Sequence, residues 1–357
     1  MKKLFLTTAL TCSTAFAAQA EVVVMSWGGS YGAAQTEAHV KPFMAESGIK
    51  TTMIDSDNPA VPIKAQVEAG NVTVDVVSLE YADAIRLCDE GLLEPIDPSS
   101  LPAGSDGTPA IDDFLPGAIT ECGVSTDIWS NIYAYDSTKF PDAKPTTIAD
   151  FFDTEKFPGK RGLKKGAKAV LEVALMGDGV PASEVYETLN TPEGIDRAFK
   201  KLDSIKKDII WWEAGAQAPQ LLADGEVVMT TAYNGRIFNA AIDENKPFVI
   251  VWDGQIYENE MYSIPKGAPH MEDAMKFIEY ATSTEGLRAS AEQISYGPAR
   301  KSANLGGDII YKDGKTVMGP NLPTYPANLE NALESSFEFW VDHDSELNER
   351  FNAWLAS

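Results

Sequence analysis

Aromatic side chains and carboxylates alternate along residues 211–265, where the chain has the richest potential for ligand chemistry. An aromatic face beside a carboxylate attracts an organic cation, because the ring quadrupole and the formal charge act together. The segment therefore predicts a pocket for a small organic cation. Its candidate side chains, which are separated by glycine-rich turns, are Trp212, Glu213, Tyr233, Asn234, Glu258 and Glu260.

Catalytic chemistry has less support in the sequence. The three histidines, His39, His270 and His343, are scattered and lack the spacing of metal ligands. No nucleophile elbow, phosphate-binding loop or Cys–His pairing occurs. Glu258 and Glu260 could serve as acid and base in a glycosidase-like hydrolase, which remains a minor alternative. We predict a binding protein rather than an enzyme, with no catalytic residue, metal or cofactor.

The first twenty residues have the pattern of a cleaved secretory signal peptide. Lys2 and Lys3 precede a short apolar run at residues 4–17, and the small-x-small cleavage site ends at Ala20. A lipoprotein would use Cys12, but a threonine precedes this cysteine where a small residue is expected. We therefore expect an exported, periplasmic protein whose mature chain starts at residue 21.

Charge and cysteine content narrow the choice of partners. The formal net charge is −24, and a surface this acidic repels phosphate backbones, so we expect no nucleic-acid partner. The mature chain keeps Cys88 and Cys122. Export to an oxidising compartment permits a disulfide between them, but two free thiols remain equally open.

Short apolar strands alternate with helices in the first part of the chain. We predict strands at residues 21–26, 50–54 and 74–79, with helices at about 32–46, 61–68 and 81–90. A second unit of the same kind starts near residue 131, and a last helix is predicted at 347–355. This alternation predicts an α/β fold with parallel sheets and helices on both faces. Such sheets bind ligands beyond the carboxyl ends of their strands, here after Ser26 and Ser78.

Several segments, in their order and spacing, resemble the substrate-binding components of polyamine ABC transporters, the spermidine/putrescine-binding family of periplasmic proteins. They are the stretch 26–31 (Ser-Trp-Gly-Gly-Ser-Tyr), residues 147–159, the segment 211–265 and residues 296–298 (Tyr-Gly-Pro). The resemblance covers essentially the whole mature chain. It implies a type II periplasmic binding protein fold, with two α/β lobes that close on a ligand in the cleft between them.

The same resemblance implies discontinuous lobes and a transport role. One lobe would comprise residues 21–130 and 260–303, and the other residues 131–259 and 304–357. The partners would be a small amine ligand and the permease subunits of an ABC importer, with the binding protein itself a monomer. The expected ligand is a polyamine, putrescine or spermidine.

The ligand-binding residues follow from the resemblance position by position. Glu260 falls where relatives carry an aspartate, and it is the best single candidate to pair with an ammonium group. Tyr233 stands where relatives often have tryptophan. The full predicted set is Trp27, Tyr31, Ser78, Glu80, Trp212, Glu213, Tyr233, Asn234, Glu258, Glu260 and Tyr296.

One loop departs from the family pattern. Where polyamine binders carry acidic residues for the far amine, this chain has Gly166 and Ala169, with Lys165 and Lys168 beside them. If the loop faces the cleft, the ligand has an acidic end, as in a betaine, a sulfonium osmolyte or a γ-aminobutyrate-like zwitterion. If the loop faces solvent, the polyamine assignment stands. Both alternatives remain open at this point.

Overall fold

The computed structural model describes residues 21–305 and 307–357, and the predicted signal peptide lies outside this part of the chain. Within these ranges, no helix is long and apolar enough to cross a membrane. The strands are β1 (Glu21–Ser26), β2 (Lys50–Asp55), β3 (Val76–Glu80), β4 (Gly123–Asp136), β5 (Arg161–Lys164), β6 (Ile209–Trp212), β7 (Met229–Tyr233), β8 (Phe248–Ser263) and β9 (Leu333–Glu334).

The helices lie between the strands, with a π-helical segment (Thr36–Val40) joining the first two. They are α1 (Gly29–Gln35), α2 (Lys41–Ser47), α3 (Ala60–Glu68), α4 (Tyr81–Asp89), α5 (Ala110–Asp113), α6 (Ile148–Phe152), α7 (Val170–Gly177), α8 (Val185–Leu189), α9 (Pro192–Asp203), α10 (Gln217–Ala223), α11 (Asn234–Asp243), α12 (Met271–Ala281), α13 (Thr284–Ala291) and α14 (Phe337–Ala356).

The described strands form a single mixed sheet in the order β2-β1-β3-β8-β4-β7-β5-β6, with β9 paired to β8. The pairs β1–β2, β1–β3, β5–β6 and β5–β7 are parallel, as predicted. The expectation of purely parallel sheets is wrong at the centre, where β3–β8, β4–β8 and β4–β7 are antiparallel. The two parallel groups are therefore joined by long central strands.

Strands β4 and β8 connect two separate hydrophobic cores. One core packs Val24, Phe43 and Phe277 around the first parallel group. The other packs Phe151, Leu163, Leu171 and Trp340, among others, around the second. With 14 residues in β4 and 16 in β8, each strand reaches both cores. This arrangement gives the predicted two-lobe α/β binding-protein fold, although the lobe boundaries proposed from the sequence remain predictions.

Two helices begin earlier in the chain than the sequence predicted. The helix after β1 begins at Gly29 rather than near residue 32, since Gly28 and Gly29 adopt positive φ and turn the chain sharply. The last helix begins at Phe337, ten residues earlier than predicted, because the Ser336 side chain accepts a hydrogen bond from the Phe339 N–H. The added turns bury Phe339 and Trp340 in the same core as Leu347 and Phe351.

Cys88 and Cys122 form a disulfide. Cys88 lies in the last turn of α4, and Cys122 immediately precedes β4. The bridge therefore links a helix beside β3 to the start of the first connecting strand. Of the two alternatives left open by the sequence, a disulfide or two free thiols, the structure has the disulfide.

A buried carboxyl joins the last helix, α14, to helix α7 within the second lobe. Glu172 on α7 is fully buried, and its Oε1 accepts hydrogen bonds from Trp340 Nε1 at 2.7 Å and Tyr186 Oη at 3.2 Å. Its Oε2 has no partner among the described residues. Burial raises the pKa of Glu172 to about 7, so the carboxyl contributes most to stability when it is protonated.

We predict that Glu172→Gln changes the pH dependence of stability. The pKa of Glu172 is raised from 4.5 to about 7 in the folded state, so the stabilising contribution is complete below pH 4.5 and is lost as pH rises from there through 7. Glutamine imitates the neutral acid and still accepts both hydrogen bonds. The variant should equal the wild type at about pH 4 and exceed it by about 1–3 kcal/mol at pH 8. Urea unfolding at both pH values measures this, and an equal difference at both would contradict a titrating Glu172.

Candidate functional site

A pocket opens where the two lobes face each other across the central strands. The first lobe contributes residues from the ends of β1 and β3, and the second contributes residues that follow β6 and β7. The cavity encloses about 440 Å³ of empty space, including its open mouth. It is lined by Trp27, Tyr31, Asp57, Glu80, Trp129, Glu213, Gly215, Tyr233, Arg236, Glu260 and Tyr296.

Aromatic rings form most of the pocket wall. Tyr31 and Tyr296 pack with ring centroids 5.3 Å apart, and Trp129 meets Tyr233 edge-on at 5.1 Å. Trp27 completes the set and packs against this cluster. Such a wall offers several π faces to a cationic group and keeps water away from it.

Glu260 lies at the base of this aromatic wall and is almost fully buried. Its Oε1 accepts hydrogen bonds from Trp27 Nε1 at 2.7 Å and Ser78 Oγ at 2.6 Å, and its Oε2 accepts one from Trp129 Nε1 at 3.1 Å. Burial, and secondarily the charge of Asp127, raises the pKa of Glu260 well above its usual range. A ligand cation would reverse this effect by favouring the carboxylate.

A second buried carboxyl, Asp127, stands behind the aromatic wall. Its Oδ2 accepts hydrogen bonds from Tyr31 Oη at 2.8 Å and Thr126 Oγ1 at 3.3 Å. Its Oδ1 has no partner among the described residues. Burial raises the pKa of Asp127 to about 7. A positive group bound near Glu260 would favour the charged form of both carboxyls.

Arg236 provides positive charge in the same pocket. It lies on α11, is 5% exposed, and donates from Nη2 to the Trp27 carbonyl at 3.3 Å. Among the described residues no carboxylate lies within 4.0 Å of its nitrogens, and its buried Nε lacks a partner. The guanidinium fits here because Gly29 and Gly215 have no side chain: a Cβ would approach Nη1 to 2.4 Å and Nε to 2.7 Å. The Arg236 guanidinium therefore keeps N–H donors that no group among the described residues accepts from.

The lysine-rich loop after β5 reaches across the cleft. Lys168 Nζ lies 2.8 Å from both Glu80 Oε2 and Glu258 Oε1. Lys164 Nζ donates to Tyr233 Oη at 2.8 Å and lies 3.6 Å from Glu80 Oε1. Burial alone would raise the pKa of Glu80, but the two ammonium groups outweigh it and lower the pKa to about 2. Both carboxylates therefore already have counter-charges from the protein.

These contacts correct the sequence interpretation of the loop. The loop faces the cleft, as one alternative required, but Lys164 and Lys168 neutralise carboxylates instead of standing free for a ligand acid. Lys165 forms a more exposed ion pair, at 2.8 Å, with Glu213, which lines the pocket. Among the described residues, the cation that lines the pocket without a carboxylate partner is Arg236.

The predicted site residues divide into a lining group and a supporting group. Ser78 donates to Glu260, while Glu258 accepts from the Tyr81 N–H and from Lys168. Trp212 is buried in the hydrophobic core behind Tyr233, and Asn234 links the Ser130 N–H to Ser295. The predicted residues that do line the pocket are Trp27, Tyr31, Glu80, Glu213, Tyr233, Glu260 and Tyr296.

Sequence reasoning missed Trp129 and Asp127 on β4 and Asp57 after β2. Every residue of β4 is buried, so its sequence has no polar–apolar alternation to indicate which side chains face a ligand. The one available signal was an aspartate and a tryptophan two residues apart, in a run that otherwise suits a core strand. No cluster of three potential metal ligands occurs in the described part of the chain.

Known solute-binding proteins are similar to this chain over most of its length. Residues 38–320 match the family described as bacterial extracellular solute-binding proteins. A γ-aminobutyric acid-binding protein of Pseudomonas aeruginosa is 48% identical over 345 residues, which cover 96% of this chain and 94% of that protein.

Solved structures extend the likeness to the fold. An ABC transporter substrate-binding protein from Bradyrhizobium japonicum is 33% identical with a TM-score of 0.82, covering 94% of this chain and 99% of the other. The Atu4243-GABA receptor is 34% identical with a TM-score of 0.78, covering 94% and 98%. The fold is therefore that of a two-lobe binding protein.

Proposed function

Because the chain belongs to the bacterial extracellular solute-binding protein family, we propose that it captures a small zwitterion of the γ-aminobutyrate (GABA) type. As the solute-binding component of an ABC importer, it would deliver this ligand to the permease. The proposed place of action is the periplasm, in keeping with the signal-peptide pattern at the N-terminus. Polyamine binding, the first expectation from the sequence, is replaced by the alternative that the sequence analysis kept open.

The observation that carries the proposal is the opposite charge of two groups in one pocket. Glu260 lies among indole and phenol rings, which suits an ammonium group. Arg236 lines the same pocket and has no carboxylate within 4.0 Å among the described residues. Its guanidinium can bind a ligand carboxylate through two parallel hydrogen bonds. A ligand with an ammonium at one end and a carboxylate at the other satisfies both.

A linear diamine fits the same pocket poorly. Its second ammonium would meet the positive charge of Arg236, while Glu80 and Glu258 are already paired with Lys168. The relative from Pseudomonas aeruginosa and the Atu4243 receptor are both described as binding GABA. These descriptions support a zwitterionic ligand for this chain too.

Calorimetry with four ligands of equal chain length tests the proposal. GABA carries both charges, putrescine carries two ammonium groups, and butylamine and butyrate carry one charge each. We expect GABA to bind most tightly and both singly charged ligands to lose at least about 30-fold, since each leaves a buried charge unpaired. Putrescine binding as tightly as GABA would overturn the zwitterion and restore the polyamine.

A further inference from the structure

We propose that Lys168, assisted by Lys164, is a built-in cation that determines specificity: it occupies the place of a ligand's second ammonium and so excludes diamines. The proposal deepens the function proposed above, since it concerns the same cleft and its choice between zwitterions and diamines. It assigns a role to the lysine loop, which holds no ligand charge itself.

The geometry around Lys168 is that of an ammonium site that is already filled. Glu80, the last residue of β3, and Glu258, within β8, both lie 2.8 Å from its Nζ. Glu258 also accepts a hydrogen bond from the Tyr81 N–H at 3.0 Å. Two buried carboxylates this close together require a cation between them, because their mutual repulsion is large in a dry environment.

This filled site adjoins the ligand pocket. Glu80 and Glu260 are direct partners in the antiparallel pairing of β3 with β8, so their side chains are neighbours on one face of the sheet. Glu80 lines both the pocket and the adjoining cleft that contains Lys164 and Lys168. A short diamine with one end at Glu260 would reach Glu80 with its other end, and there it would compete with Lys168.

The lysines therefore act in two ways. They neutralise Glu80 and Glu258, which removes the attraction for a second ammonium. Their positive charge also repels such a group at close range, and partial burial limits screening by salt. The side chain of Lys168 is covalently attached, so it occupies the site without the entropy cost that a diffusing ammonium must overcome.

Replacing Lys168 by methionine tests this role, because methionine fills the space and carries no charge. We expect putrescine affinity to rise at least about tenfold in Lys168→Met relative to wild type, while GABA affinity changes by less than that factor. Adding Glu258→Gln to this variant should reverse the gain, since one of the two uncovered carboxylates is then lost. Lys276→Met, which breaks only an exposed pair with Asp273 on α12, is the matched control and should change neither affinity.

A second variant covers the case in which Lys168→Met fails to fold. In Lys164→Met, Lys168 still pairs with both carboxylates, and putrescine affinity should rise about two- to fivefold. No gain of putrescine binding in any folded variant would overturn the proposal, as would tight putrescine binding by the wild type. Titration of the wild type with GABA alone tests the function separately, so that failure of one proposal is distinguishable from failure of the other.

Discussion

Replacing Arg236 by glutamine is expected to abolish most of the affinity for GABA, with a loss of about 2–5 kcal/mol, or roughly 30-fold to several thousand-fold. The ligand carboxylate would enter a buried wall that no longer carries a positive charge. Arg236→Lys should retain part of the affinity, because lysine keeps the charge but cannot form the two parallel hydrogen bonds of a guanidinium. The lysine ammonium is also smaller than a guanidinium, so it would fill the space beside Gly29 and Gly215 less well.

Isothermal titration with two ligands isolates the role of Arg236. Butylamine has no carboxylate, so its weak binding should be the same or stronger in Arg236→Gln than in the wild type. Arg197→Gln, which removes an arginine from the exposed pair with Asp178, is the matched control and should leave GABA binding unchanged. Equal losses for GABA and butylamine would show that Arg236 supports the fold of the pocket rather than the ligand carboxylate.

The fold could be predicted from sequence where elements are short and bounded by clear signals. Helix α4, for example, follows a continuous apolar strand and ends before Gly91, which adopts positive φ as a helix-terminating glycine should. The two long central strands were harder to predict. The apolar pattern of β4 and β8 gives no indication that each strand runs through both lobes, because strand length there is set by pairing with distant segments.

The candidate site was predictable in its residue types but not in its charge balance. Glu260, Trp27 and Tyr296 could be proposed because their neighbours in the chain carry a recognisable pattern. Which carboxylates are free for a ligand depends on the lysines that reach them, and Lys168 lies 88 and 90 residues from its partners Glu80 and Glu258. Such pairings are set by tertiary structure, so sequence alone could not show which of the predicted carboxylates, Glu80, Glu213, Glu258 and Glu260, are already paired with lysines.

Replacing Glu260 by glutamine is expected to weaken GABA binding more than Trp27→Phe does. A buried ammonium that loses its counter-charge should cost about 2–5 kcal/mol, against ~0.5–1 kcal/mol for an imperfect ring substitution. Trp27→Phe also removes one hydrogen bond to Glu260 Oε1, but Ser78 still donates to the same oxygen. The reverse order would show that the rings, and not the carboxylate, hold the ammonium.

The release of a proton on ligand binding provides an independent measurement of the contact between the ligand ammonium and Glu260. The pKa of Glu260 is raised in the empty pocket, chiefly by burial, and an arriving ammonium should lower it again. Binding would then expel a proton, so that affinity increases with pH and the calorimetric enthalpy depends on the ionisation enthalpy of the buffer. Asp127, with a pKa of about 7, could release the proton instead. Buffer dependence that disappears in Glu260→Gln and persists in Asp127→Asn assigns the proton to Glu260; the opposite pattern would place the ammonium nearer Asp127.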